Sequence, residues 1–259
     1  MSTELAQQLS FDHLIHWVTD IDQVAELYRA AGLPVHDALT MPGFRNAAWG
    51  IDLIHYVELA TVDDWEAVRT SLYAEALAAL RPAVESLGGR SGGLTFAVHV
   101  PDAGQMAEQL RAKGHKVAET RVRFEQHDVS FTEVFVLDGP PWWPFFICFD
   151  PPRDVLAAKR AEAQAEAAAS GTSVPGLPKS DADLVGMVVT SRAPEAAATG
   201  VSKLLGLSVE RVAGTIRVPL PRVPLFFEPG ETEGITGLLI SGIEVAEPVD
   251  LGGLWLRTQ

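Results

Sequence analysis

The chain holds one cysteine, Cys148, among 259 residues. A lone thiol closes no internal disulfide, so nothing in the sequence asks for an oxidising compartment. Cationic residues are scarce too: 20 Lys and Arg stand against 34 Asp and Glu, a formal charge of −14. No basic cluster interrupts that balance, so neither nucleic acid nor an anionic membrane is expected as a partner. No run is long and apolar enough to span a bilayer. The opening "MSTELAQQLS" has no basic segment and no apolar core, so no secretory leader is expected and the expected location is cytoplasmic. Familiar catalytic signatures are missing as well. There is no G-x-S-x-G nucleophile turn, and "SLGGRSGG" at 86–93 has neither a P-loop lysine nor a dinucleotide fingerprint.

What is present is a packable chain with an internal repeat. Hydrophobic residues make up 47% of it, enough for a real core and too many for a disordered chain. "LIHWV" reads as a buried strand, Asp20 or Asp22 as a helix cap, and "VAELYRAAG" as a helix stopped by Gly32. "LPVHDALT" and "NAAWGIDLIHYVELATV" supply further strands around the "MPGFRN" turn. The same order returns in "GLTFAVHV", "PDAGQMAEQLRAKG", "HKVAETRVRF", "DVSFTEVFVL" and "WPFFICFD". Both segments read β-α-β-β-β, and such a repeat is the most informative feature of the chain.

The spacing therefore predicts an α+β fold with a first βαβββ module at 11–62 and a connecting helix at 63–92 that Pro82 kinks or divides. A second module follows at 93–150 and a solvated, alanine-rich helix and linker at 151–182. A third, partial module occupies 183–245, with a strand "GITGLLISGIEV" left over to pair with an existing sheet edge.

Two histidines in "FDHLIHWVTDID" sit three residues apart. On a helix that spacing would join them, but a strand alternates faces. His13, Ile15 and Trp17 then share one side, and Leu14, His16 and Val18 the other. His16 is read as a core or rim histidine with a hydrogen-bond partner. His99, His115 and His127 show no pairing by spacing and read as surface histidines, His127 lying in a loop that can reach a cavity mouth.

The segments "FDHLIHWVTDID", "MPGFRNAAWGIDLIHYVELATVDD", "WPFFICFDPP" and "LLGLSVERVAGTIRVPLPRVPLFFEPG" resemble the vicinal-oxygen-chelate superfamily, and more closely its glyoxalase-like branch. The superfamily includes glyoxalase I, extradiol dioxygenases, fosfomycin-resistance enzymes and bleomycin-binding proteins. The resemblance implies paired βαβββ modules that curl into a half-open barrel around a cavity. It also implies a divalent metal, where one is present, held by the first and last strands of each module. In the first module those positions fall on His13 and Glu58. In the second they fall on Gly93 or Thr95 and on Ile147 or Cys148, an incomplete ligand set. The third copy has no histidine in "DLVGMV".

His13 and Glu58 are thus the candidate catalytic pair and the candidate metal ligands. The plainer alternative is a histidine and a glutamate hydrogen-bonded across the cavity. Tyr56 shares a strand face with Glu58. Asn46 matches the family's asparagine after the turn and reads as a ligand contact or a turn stabiliser. Trp49 and Trp143 are candidate aromatic walls, with Trp142, Phe145 and Phe146 nearby. Arg123, with Arg121, is a candidate anion contact or a plain exposed face, and Glu133 a candidate cavity residue. The resulting reading is a small-molecule-binding protein with an aromatic-lined cavity and no complete metal site, for which no cofactor is expected ahead of a divalent metal. The alternative is a metal-dependent lyase, isomerase or dioxygenase acting on two adjacent substrate oxygens through His13 and Glu58. Paired modules also permit a homodimer.

Overall fold

A capping aspartate opens the helix of each of the first two modules and fixes their common frame. After strand β1 (Ser10–Trp17), the Asp20 side chain accepts from the Gln23 amide and starts helix α1 (Ile21–Ala30). After β5 (Gly92–His99), Asp102 does the same for the Gln105 amide at the start of α4 (Ala103–Ala112). In this computed structural model, residues 8–172, 174, 180–212 and 214–259 are described. The leader reading at residues 1–7, most of the linker at 173–179 and the side chain of His127 lie outside the described residues.

The first module continues through β2 (Val35–Met41), β3 (Phe44–Gly50) and β4 (Tyr56–Val62). The second continues through β6 (Val117–Phe124), β7 (Val129–Val136) and β8 (Phe145–Asp150). The third unit runs the full order: β9 (Asp183–Ser191), α6 (Pro194–Leu205), β10 (Glu210–Val212), β11 (Thr215–Val218) and β12 (Leu225–Pro229). The strand read as left over from it, β13 (Gly234–Ser241), opens a reduced fourth unit without a helix, completed by β14 (Val249–Asp250) and β15 (Trp255–Thr258).

Pairing shows the repeat directly. In every unit the first strand pairs in parallel with the last: β1 with β4, β5 with β8, β9 with β12 and β13 with β15. The first strands of all four units are neighbours in one 15-stranded sheet, in the order β9-β13-β5-β1. The two halves of the molecule meet where Ile235 of β13 pairs with Gly93 of β5. A Cβ on Gly93 would lie 2.6 Å from the Ile235 carbonyl oxygen, so the close approach requires glycine.

The connecting segment departs from the expected long helix. It forms a single turn, α2 (Trp65–Val68), and then α3 (Ala74–Ser86), with the break at residues 69–73 and Pro82 inside α3. Side-chain hydroxyls explain the break: Thr70 donates to the Ala67 carbonyl and Ser71 accepts from the Tyr73 amide. Pro82 is exposed, so the carbonyl it leaves unpaired faces water. Helix α5 (Arg153–Ser170) is mostly exposed, as its composition predicts. No helix of the described residues is long and apolar enough to cross a membrane.

Two apolar clusters result. The larger lies between the sheet and the outer helices and includes Leu14, Val24, Tyr28, Trp49, Phe96 and Phe146. The smaller fills the inside of the curl beneath α3 and includes Ile15, Trp17, Phe44, Leu77, Phe131 and Ile147. The candidate site lies within this second cluster.

Candidate functional site

Strand parity decides which side chains enter the curl. His13, Ile15 and Trp17 line an inner chamber of about 90 Å³, as the alternation of β1 requires. From β3 and β4 come Phe44, Asn46, Tyr56, Glu58 and Ala60. From the second module come Leu94, Phe131, Glu133, Ile147 and Phe149, and α3 closes the chamber with Ala76, Leu77 and Leu80. An outer vestibule of about 420 Å³ adjoins it, lined among others by His55, Phe124 and Arg160. Asn46, Tyr56, Glu58 and Tyr73 border both spaces.

The polar atoms form one linked set. Asn46 Nδ2 donates to Glu58 Oε1 at 2.5 Å. His13 Nε2 lies 3.7 Å from Glu58 Oε2. On its other side, His13 Nδ1 donates to Asp12 Oδ1 at 2.7 Å. Asp12 Oδ2 in turn faces Arg153 Nε at 3.3 Å. Thr120 Oγ1 donates to Glu133 Oε2 at 3.1 Å. The His13 ring stacks on Tyr56, with centroids 4.6 Å apart and planes within 6°, and meets the edge of Phe145 at 5.6 Å.

Burial and charge shape the titration of this set. Burial opposes charge on His13, but the hydrogen bond and charge of Asp12, then Glu58 and Glu133, outweigh it and raise its pKa. Burial likewise opposes charge on Asp12, yet His13 and Arg153 hold its pKa below the usual value. Glu133 is pushed up to about 7, by burial first and by the Glu58 and Asp12 carboxylates, against the pull of His13 and Thr120. A carboxyl group in that range takes up and releases a proton near neutral pH.

The structure brings together five of the sequence-derived candidates: His13, Asn46, Tyr56, Glu58 and Glu133. Three others lie elsewhere. Trp49 sits on the opposite face of β3 from Asn46, fully buried in the helix-side core near Tyr28. Trp143 lines a separate apolar cleft beside α3 and meets His115 edge-on. Arg123 is on the exposed face of β6, paired with Glu125 and Asp128. The aromatic lining comes instead from Trp17, Phe44, Tyr56, Tyr73, Phe131 and Phe149. His16 occupies the core, Nε2 donating to the Gly252 carbonyl at 2.9 Å and Nδ1 meeting the Tyr28 hydroxyl at 3.0 Å. His99 and His115 are partly buried rather than on open surface.

Aligning the two capping aspartates compares the modules position by position. Thr95 falls at the place of His13. Glu58 pairs with Ile15, and the matching residue Ala97 pairs with Phe145, so Phe145 takes the place of Glu58 rather than Ile147 or Cys148. Cys148 points away from the chamber, donating to the Pro101 carbonyl, and burial raises its pKa. Glu133 corresponds to Asn46, because their partners Ile147 and Ala60 correspond. The second module thus adds a carboxylate on a different strand from the one a paired metal site would use. Thr95 donates to the Trp143 carbonyl, and Phe145 has no ligating atom. Among the described residues no three His, Cys, Asp or Glu side chains are grouped to hold a metal ion. Of the positions where such a metal would be held, the first module thus offers His13 and Glu58, and the second offers no His, Cys, Asp or Glu.

Asp12, Arg153, Tyr73 and the phenylalanine wall were absent from the sequence-derived set. Asp12 and His13 are adjacent at the register shift between Phe11 and Leu14, where a strict alternation of faces would separate them. Arg153 and Tyr73 come from connecting segments whose packing no periodicity encodes.

The chain is similar to several known proteins. The glyoxalase-like domain model matches residues 11–205. A hypothetical protein from Staphylococcus aureus shares the fold, with a TM-score of 0.75 and 14% identity over 97% of this chain and 98% of that one. The methylmalonyl-CoA epimerase of Streptomyces coelicolor is 22% identical over 53% of this chain and 95% of its own, with a TM-score of 0.38. The Mn(II)-bound glyoxalase of Novosphingobium aromaticivorans is 14% identical over 89% and 64%, with a TM-score of 0.49. None of the curated proteins matches the chain. The chain belongs to the glyoxalase-like domain family, and its strand-borne histidine and repeated modules resemble the vicinal-oxygen-chelate superfamily.

Proposed function

We propose that this protein binds a small organic molecule in the inner chamber without a metal ion. One observation carries the reading: His13, Asn46, Tyr56, Glu58 and Glu133 converge on a chamber walled by aromatic rings, while the metal positions of the second module hold Thr95 and Phe145. Concave apolar spaces with a few fixed polar groups are the usual form of small-molecule sites. The ligand's head would occupy the inner chamber and the rest of it the vestibule.

The test is a thermal-shift screen of small aromatic and aliphatic metabolites with EDTA present. A ligand at one hundred times its Kd stabilises the folded state by about 2.7 kcal/mol and so raises the melting temperature. Ala60→Leu, which fills the chamber from its floor, is expected to remove the shift. A hit that stabilises Ala60→Leu as strongly as the wild type would place binding outside the chamber and overturn the proposal.

A further inference from the structure

The inner chamber has a surplus of hydrogen-bond acceptors, and this bears on the chemical class of the ligand. Asn46 must turn its Nδ2 toward the Glu58 carboxylate, which only accepts. Among the described residues its Oδ1 has no partner and is buried, in a residue that is 9% exposed. A buried amide oxygen left in this way loses a hydrogen bond unless something in the chamber donates to it. Among the described residues, Glu58 Oε2 and Glu133 Oε1 likewise accept no hydrogen bond.

The charges point the same way. Among the described residues, no lysine or arginine lines the inner chamber. Asp12 is matched by Arg153 at 3.3 Å on its far side, which leaves His13 facing two carboxylates, Glu58 and Glu133. When Glu133 is ionised, one negative charge lacks a counterpart even with the imidazole charged. Around it stand the rings of Trp17, Phe44, Tyr56, Tyr73, Phe131 and Phe149. Ring faces and carboxylates together attract organic cations and disfavour anions.

Size limits the head group. The chamber holds about 90 Å³, and each water-sized group needs roughly 10–15 Å³ by that measure, so on the order of six to nine groups fit. The geometry points to a protonated primary amine on a small apolar or aromatic body. Its ammonium would donate to Asn46 Oδ1, Glu58 and Glu133, with its body against the rings. This inference rests on the small-molecule reading above and narrows it to one ligand class.

Calorimetric titration with three probes of one shape tests it: benzylamine hydrochloride, benzyl alcohol and sodium benzoate. Benzylamine is expected to bind at least tenfold more tightly than benzyl alcohol, and benzoate to give no heat. Glu133→Gln is expected to weaken benzylamine at least tenfold while its urea midpoint near pH 4.5 stays that of the wild type, which separates lost charge from lost fold. Asn46→Leu, which removes the unpartnered oxygen, is expected to weaken benzylamine as well. If benzyl alcohol or benzoate binds as tightly as benzylamine, and Ala60→Leu abolishes that binding, the amine assignment is overturned while the small-molecule site stands. If none of the three binds, the amine assignment is overturned and the small-molecule site rests on the wider screen.

Discussion

Glu133 gives the site a stability signature that needs no ligand to observe. Its carboxyl is held at about 7 in the folded chain against an ordinary 4.5, because burial and the neighbouring carboxylates disfavour its charge. The folded state therefore holds a proton that the unfolded chain has lost between those values, and stability falls as pH rises through this window. The difference of about 2.5 units corresponds to about 3 kcal/mol at most, at about 1.36 kcal/mol per unit. Glu133→Gln cannot ionise, and its amide oxygen can still accept from Thr120. The variant is expected to match the wild type in stability near pH 4.5. By pH 8 it should be more stable by up to about 3 kcal/mol. Urea denaturation of both proteins at a series of pH values reads this directly, as the midpoint difference at constant slope. A difference that does not change between pH 4.5 and 8 would refute the reasoning, since it would mean that Glu133 ionises freely and is not enclosed with Glu58.

Two further outcomes follow from other parts of the fold. His16 is held neutral, its pKa lowered to about 4 by burial, so its contribution is present above 6.5 and is lost as pH falls from 6.5 toward 4. The wild type should lose up to about 3 kcal/mol from this group across that window, and denaturation of His16→Gln, which has no such titration, should show a correspondingly flatter acid limb. Gly43 has φ +73°, and a Cβ there would lie 2.1 Å from the Asp64 carbonyl oxygen, so Gly43→Ala should lower the melting temperature by several degrees and a neutral result would contradict the β2–β3 turn geometry.

The fold was largely legible because two periodicities and two capping aspartates repeat. Parity along β1 placed His13 in the curl and His16 in the core, and parity along β4 placed Tyr56 and Glu58 on one side. The same rule excludes Trp49, which is an odd number of residues from Asn46 and so faces the helices; its aromatic character outweighed its parity in the sequence reading. Trp143 lies in the turn before β8, where loop geometry and not strand alternation sets direction. The two candidate arginines follow the exposed face of β6, alternating with the buried Thr120 and Val122. What no local pattern could supply was long-range packing. Helix α3 folds over the open side of the barrel, Arg153 reaches Asp12 from the start of α5, and Leu94 enters the chamber at an irregularity between β1 and β5. The fourth unit was hidden for a similar reason, since β15 pairs with β13 across a segment that carries no helix.

The central claim is that the chamber binds its ligand with its own side chains and no metal. The most direct measurement is a calorimetric titration of one screening hit into protein purified without chelator, repeated after EDTA treatment and again after Mn²⁺ is added back, with metal content determined on each sample. The account predicts the same Kd in all three and no stoichiometric metal removed with His13→Ala. Loss of binding in EDTA, restored by Mn²⁺ and abolished in His13→Ala, would contradict it and make His13 and Glu58 metal ligands after all.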